Sequence, residues 1–142
     1  MTAGTRTVVV GVVANPRGTA ALQHAVEEAH RRGARLIVVN SSRGDALVDE
    51  DVLFGDRLRQ LHDALTVSGL PFEVRQPVRG LDVAEELAAV VEETGAELVV
   101  IGLRRRSAVG KLLTGSAAQR ILLEVDCPVL AVKTPPHEDD HP

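Results

Sequence analysis

Thr7-Val8-Val9-Val10-Gly11-Val12-Val13 is an almost unbroken apolar run dominated by valine. A strand with one wet face alternates apolar and polar residues, so a run of this kind predicts a strand covered on both faces, as in a parallel sheet. Four more short runs follow it: Arg35 to Asn40 (RLIVVN), Phe72 to Val78 (FEVRQPV), Glu97 to Gly102 (ELVVIG) and Pro128 to Lys133 (PVLAVK). Helical periods separate them. Arg17 to Arg32 places Leu22, Ala25, Val26 and Ala29 on one stripe and ends at Gly33. Phe54, Leu58, Leu61 and Leu65 keep turn spacing up to Gly69, and Ala84, Leu87, Ala88 and Val91 do so between Asp82 and Gly95. Ser116 to Val125 makes the fourth helix. Strict alternation of five strands with four helices predicts an α/β fold with a parallel sheet and right-handed crossovers. Pro77 and the alternating charges of the third run put that strand at a sheet edge.

Composition narrows the rest. The chain of 142 residues is 44% hydrophobic, with no Trp, no Tyr and only Phe54 and Phe72 as aromatics. The core must be aliphatic, and stacking platforms for single-stranded nucleic acid are missing. A net charge of −4 gives no basic face for phosphate backbones, so no nucleic-acid partner is expected. No apolar run reaches bilayer length, Met1 to Arg6 is not a signal peptide, and the lone Cys127 has no internal partner. These features point to no membrane association and to the cytoplasm. Residues 1–134 read as one domain, and the Pro-rich acidic segment 135–142 as a disordered tail. His24, His30 and His62 lack paired ligand spacing and read as surface or interfacial residues, so no metal site is expected. Cys127 reads as a small buried apolar residue.

In an open α/β sheet, ligands bind beyond the carboxyl ends of the strands where the winding reverses. With a central first strand, that point lies between strands one and four. It brings together Val13-Ala14-Asn15 and the loop from Gly102 onward. From Leu98 to Leu123 there is no Asp or Glu, yet Arg104, Arg105, Arg106, Lys111 and Arg120 fall inside this stretch. The loop enters a helix through Gly115, Ser116 and Ala117, with Ser116 and Gln119 at capping-box spacing. Gly115 permits close backbone approach, and a helix start favours an anion. A phosphate-bearing ligand is the reading this supports; the alternative is a turn and a cap beside a solvated arginine run. A P-loop is rejected, because Leu112 follows Gly110-Lys111 and Arg105 stands at the first glycine position.

The stretch Ile101-Gly102-Leu103-Arg104-Arg105-Arg106-Ser107-Ala108-Val109-Gly110-Lys111-Leu112-Leu113-Thr114-Gly115-Ser116-Ala117-Ala118-Gln119-Arg120-Ile121, followed by Cys127 to Val132, resembles the carboxy-terminal signature of universal stress proteins. Val8 to Ala29 and Gly80-Leu81-Asp82 fit the same pattern, so the resemblance spans Thr5 to Lys133. It implies a Rossmann-like three-layer sandwich with strand order 3-2-1-4-5, and a homodimer formed through the last strand, Val129 to Val132. Some members bind ATP and others do not. The binders carry G-x2-G-x9-G-[ST]: Gly102, Gly115 and Ser116 match it, whereas Arg105 replaces the second glycine. The position that contacts adenine, an Asp in binders, falls at Val13, and the ribose contact falls at Ser41. Valine cannot accept a hydrogen bond from the adenine amino group. An arginine at a glycine position either blocks the backbone approach or reaches the phosphates itself.

Two expectations therefore stand side by side. One is a nucleotide such as ATP, or another phosphate-bearing ligand, held by the Gly102 to Ser116 loop with arginines compensating. The other is a dimeric interaction module that has lost nucleotide binding. Catalysis is not expected. The loop Ala14-Asn15-Pro16-Arg17-Gly18 lacks the groups that handle a leaving pyrophosphate, and the phosphate loop has no carboxylate to hold magnesium or activate water.

Overall fold

The computed structural model describes residues 6–12, 16–40, 55–75, 83–103 and 116–133. They alternate as β1 (Arg6–Val12), α1 (Pro16–Arg32), β2 (Ala34–Asn40), α2 (Gly55–Ser68), β3 (Phe72–Arg75), α3 (Val83–Thr94), β4 (Leu98–Leu103), α4 (Ser116–Glu124) and β5 (Val129–Lys133). The strands form one parallel sheet in the order β3-β2-β1-β4-β5, with β3 and β5 at its edges. The helices cover both faces. The expected α/β class, alternation and strand order are all present.

Successive residues of a strand point to opposite faces, and the valine run uses both. Val8 and Val10 join Leu36, Val38, Leu98 and Val100 in a layer under α1 and α2, together with Leu61 and Leu65. Val9 joins Ile37, Val39, Val99 and Ile101 in a layer under α3 and α4, with Leu87, Val90, Val91, Ile121 and Val125. Val8, Val9 and Val10 are fully buried, as double coverage requires.

The underside of α1 holds the expected Ala25 and Ala29, with Ala21 in addition. Its fully buried residues are Ala21, Ala25 and Ala29, while Leu22 and Val26 pack half-buried at the margin. Alanine at every fourth position lets the helix backbone approach the central strands closely. Gly33, Gly69 and Gly95 end α1, α2 and α3 with φ of 63°, 79° and 68°. That left-handed backbone disfavours a side chain, which explains glycine at all three ends.

At the amino end of the sheet, an ion-pair lattice ties distant segments together. Both Glu97 oxygens accept from Arg6, Nε at 2.8 Å and Nη2 at 2.9 Å, and Arg32 Nη1 donates to the same carboxylate at 2.7 Å. Arg32 also reaches Glu28, and Arg6 Nη1 caps α1 by donating to the Arg32 carbonyl at 2.9 Å. Bonds from Arg6 and then Arg32 hold the Glu97 carboxyl below the usual carboxylate range. The Arg32 bond does the same for Glu28. At the β3 edge, Arg75 bridges Glu73 and both oxygens of Glu93 on α3.

Candidate functional site

The β1–β2 ladder runs to its last residues, Val12 opposite Asn40, and the β4–β5 ladder runs to Leu103 opposite Lys133. The β1–β4 ladder does not. It holds Val8–Leu98, Val9–Val99 and Val10–Val100 and stops there. Gly11 and Val12 of β1, and Ile101 to Leu103 of β4, continue without pairing to each other. The sheet thus parts toward its carboxyl end at the one strand junction where the winding reverses. Such a parting is where open α/β sheets take ligands.

The predicted site residues fall around this parting to different extents. Gly102 is the half-buried penultimate residue of β4, beside the opening. Ser116 and Ala117 are the first two residues of α4, so the helix start follows the β4 loop as expected. Their side chains lie outside the described residues. So do Val13, Ala14, Asn15, Ser41, Arg104, Arg105, Arg106, Lys111 and Gly115. Val12 and Asn40, the last residues of β1 and β2, lie opposite each other at the carboxyl end of the sheet.

Of the cations of the run, Arg120 lies within the described residues. Arg120 is engaged by Glu124 one turn on, through Nε at 3.1 Å and Nη2 at 3.0 Å. α3 contributes a carboxylate that sequence inspection passed over: Glu86 is only 5% exposed, in the first turn, where the helix dipole favours negative charge. Gly11 was also read only as part of a strand, although it stands at the parting itself. Its lack of a side chain was a visible signal in a valine run.

Elsewhere, His24, His30 and His62 are exposed; the His62 ring sits edge-on to Phe72 at 5.6 Å. Cys127 is half-buried rather than fully enclosed. Burial, and then the Asp126 charge, push its thiol above the usual range. Among the described residues no cluster of His, Cys, Asp or Glu could hold a metal ion, and no helix is long and apolar enough to cross a membrane. A shallow cleft of about 450 Å³, lined by residues including Arg6, Ala29, Arg35 and Leu70, lies at the opposite, amino end of the sheet. There Arg6 is already engaged by Glu97 and by the end of α1.

Comparison with known proteins agrees with this architecture. The family model described as "Universal stress protein family" matches residues 4–133. A universal stress protein of Mycolicibacterium smegmatis is 51% identical over 130 residues, covering 92% of this chain and 98% of that protein. The solved universal stress protein of Archaeoglobus fulgidus superposes with a TM-score of 0.74 at 31% identity, covering 91% of this chain and 98% of its own. A universal stress protein solved in complex with cAMP superposes with a TM-score of 0.66 at 25% identity, covering 92% and 98%.

Proposed function

This chain belongs to the universal stress protein family, and we propose that it acts by binding, without catalysis, and that it holds a nucleotide where β1 and β4 part. The parting of that ladder, at the reversal of winding and just before the start of α4, is the observation that carries the reading. A solved relative in complex with cAMP supports an adenine nucleotide as the ligand class. On this reading Gly102, Gly115, Ser116 and Ala117 line the phosphate side, and Arg104, Arg105 and Arg106 supply charge. Val13, Ala14, Asn15 and Ser41 border the base and ribose. Val13 offers the base no acceptor, so recognition relies on shape and phosphate contacts more than on reading the amino group. A cytoplasmic location fits a chain with a single cysteine.

Titration calorimetry with ATP, AMP and cAMP tests the reading. Saturable heat that falls on Arg106→Ala and changes on Arg105→Gly is the expected result. Absence of heat at millimolar concentration of all three would reject it.

The other reading is a dimeric module that works through its surface, and one observation favours assembly in either case. Among the described residues β5 is an edge strand with no further strand beside it, and its Val129, Leu130 and Ala131 are only half-buried. α4, which leads into β5, exposes Leu122 (51%) and Leu123 (83%). An apolar strand edge invites pairing, and a second copy through Val129 to Val132 covers it. Sedimentation should return twice the 15.1 kDa chain mass. A dimer whose melting temperature ignores every nucleotide favours this second reading over the first.

A further inference from the structure

The cleft at the amino end of the sheet lies opposite the parting of β1 and β4. It holds about 450 Å³, within the span of about 300–1,000 Å³ that small-molecule sites take. Its floor is Ala29, Ala34 and Leu70, all buried in the layer under α1 and α2. Two of these are alanines, and the turn between them is Gly33, so short side chains make the hollow. Among the described residues, a Cβ built on Gly33 would meet nothing within 4 Å. β1 and β2, which begin here, are interior strands of the sheet. The cleft therefore offers no free ladder to an extended peptide and suits a small molecule.

A fixed cation stands at one end of this hollow. Arg6 lines the cleft, and its Nη1 donates to the Arg32 carbonyl, immediately before Gly33. Its Nε and Nη2 donate to the two Glu97 oxygens. Three of the five guanidinium N–H groups are thereby used, which leaves one on each terminal nitrogen. The side chain is half-exposed, and its partners already fix its orientation, so a ligand meets it preorganised. The lattice around it joins three cations, Arg6, Arg31 and Arg32, with two carboxylates, Glu28 and Glu97. It thus keeps one positive charge in excess, in a chain whose net charge is −4. His30 stands exposed on the same rim. Arg35 also borders the cleft, but strand alternation turns its side chain to the other face, where Nε donates to the buried Thr7 hydroxyl at 3.1 Å.

We propose that this cleft binds a small amphipathic carboxylate, with its apolar chain on Ala29, Ala34 and Leu70 and its charged end on Arg6. A single negative charge matches the single excess positive charge of the lattice. A phosphate dianion brings more charge than the lattice offsets and loses more hydration against an apolar floor. A neutral ligand forgoes the charge-assisted bonds that the two remaining N–H groups of Arg6 offer. The site is independent of nucleotide binding at the opposite end of the sheet.

The test titrates the isotope-labelled full chain with hexanoate, hexanol and acetate, followed through its amide resonances. Hexanoate should shift the amides of His30, Gly33, Ala34 and Leu70 along one saturable curve. Hexanol, which lacks the charge, should bind at least about 10-fold more weakly, the scale of a hydrogen bond to a charged group. Acetate, which lacks the chain, should fall off at least as far. His30→Glu puts a like charge on the rim at an exposed position, and should weaken hexanoate about threefold with little effect on melting. Arg6→Gln should abolish the saturable shift. Because it also breaks the lattice, its folding is checked by melting, and His30→Glu decides the matter if it does not fold. Equal binding of hexanoate and hexanol overturns the proposal, as does His30→Glu binding hexanoate as wild type does. Absence of these shifts at millimolar hexanoate also overturns it. The same amides moving on dilution without any acid would give the cleft to a second copy instead. A peptide ending in leucine that binds at least about 10-fold more tightly than hexanoate would give it to a polypeptide terminus.

Discussion

Replacing Leu87 by alanine is the perturbation whose cost the packing sets most directly. Leu87 is fully buried in the layer under α3 and α4, over β1. Removing three carbons forfeits roughly 2.4 kcal/mol of transfer free energy, at about 0.8 kcal/mol for each. A cavity term adds to this where neighbours cannot close the space. Gly11, directly beneath, has no side chain to move into it. The expected loss is therefore about 3–4 kcal/mol, inside the span of about 2–5 kcal/mol seen for buried Leu→Ala changes. Val67→Ala is the control: Val67, on α2, is 86% exposed, so its change should stay within about 0.5 kcal/mol. Urea unfolding must be followed by far-ultraviolet circular dichroism, because the chain has neither Trp nor Tyr to report by fluorescence. A loss below about 1 kcal/mol for Leu87→Ala, or equal losses at the two positions, would refute the packing reasoning.

Acid stability follows from the carboxylates. Glu28, Glu93 and Glu97 are all held below their ordinary value of 4.5 in the folded state. Their stabilisation is thus fully present above that pH and is lost as pH falls through the lower folded values. Melting temperature should decline with pH below about 4.5, and Glu97→Gln should flatten the decline; an unchanged slope would contradict the lattice. Gly33→Ala should cost about 1 kcal/mol through backbone alone, since open space surrounds the added carbon, and denaturant midpoints will show whether it does. Cys127 should react slowly with a disulfide reagent at neutral pH, because burial and Asp126 keep the thiol protonated; labelling as fast as that of an unfolded chain would count against the described burial.

Much of the fold was legible because each element carries its own local signal. TVVVGVV declares a doubly covered strand by its lack of alternation, and Gly33, Gly69 and Gly95 mark helix ends that do adopt positive φ. FEVRQPV was rightly put at an edge, with β3 outermost. What sequence could not give is contact between segments far apart in the chain. Arg6 and Glu97 stand 91 residues apart, and neither is distinctive where it stands. The stripe of α1 was legible at Ala25 and Ala29, whereas Ala21 was passed over in favour of Leu22 and Val26, because hydrophobicity favours larger side chains while proximity to the sheet selects Ala21, Ala25 and Ala29. Of the candidate site, the helix start at Ser116 and the place of Gly102 on β4 were foreseen. The junction at which the sheet parts follows from the strand order, but the residue at which β1–β4 pairing stops does not.

The alanine underside of α1 has a consequence for how this protein tolerates change. Ala21, Ala25 and Ala29 have no side-chain rotamers to freeze, so the helix is seated on the sheet without the rotamer entropy loss that burying leucines would bring. The same economy leaves no adjustable parts. A larger residue has no alternative rotamer into which it can retreat, and glycine would loosen the helix itself. Variation in descendants of this chain should therefore bypass positions 21, 25 and 29 in both directions and accumulate on the outward face of the same helix.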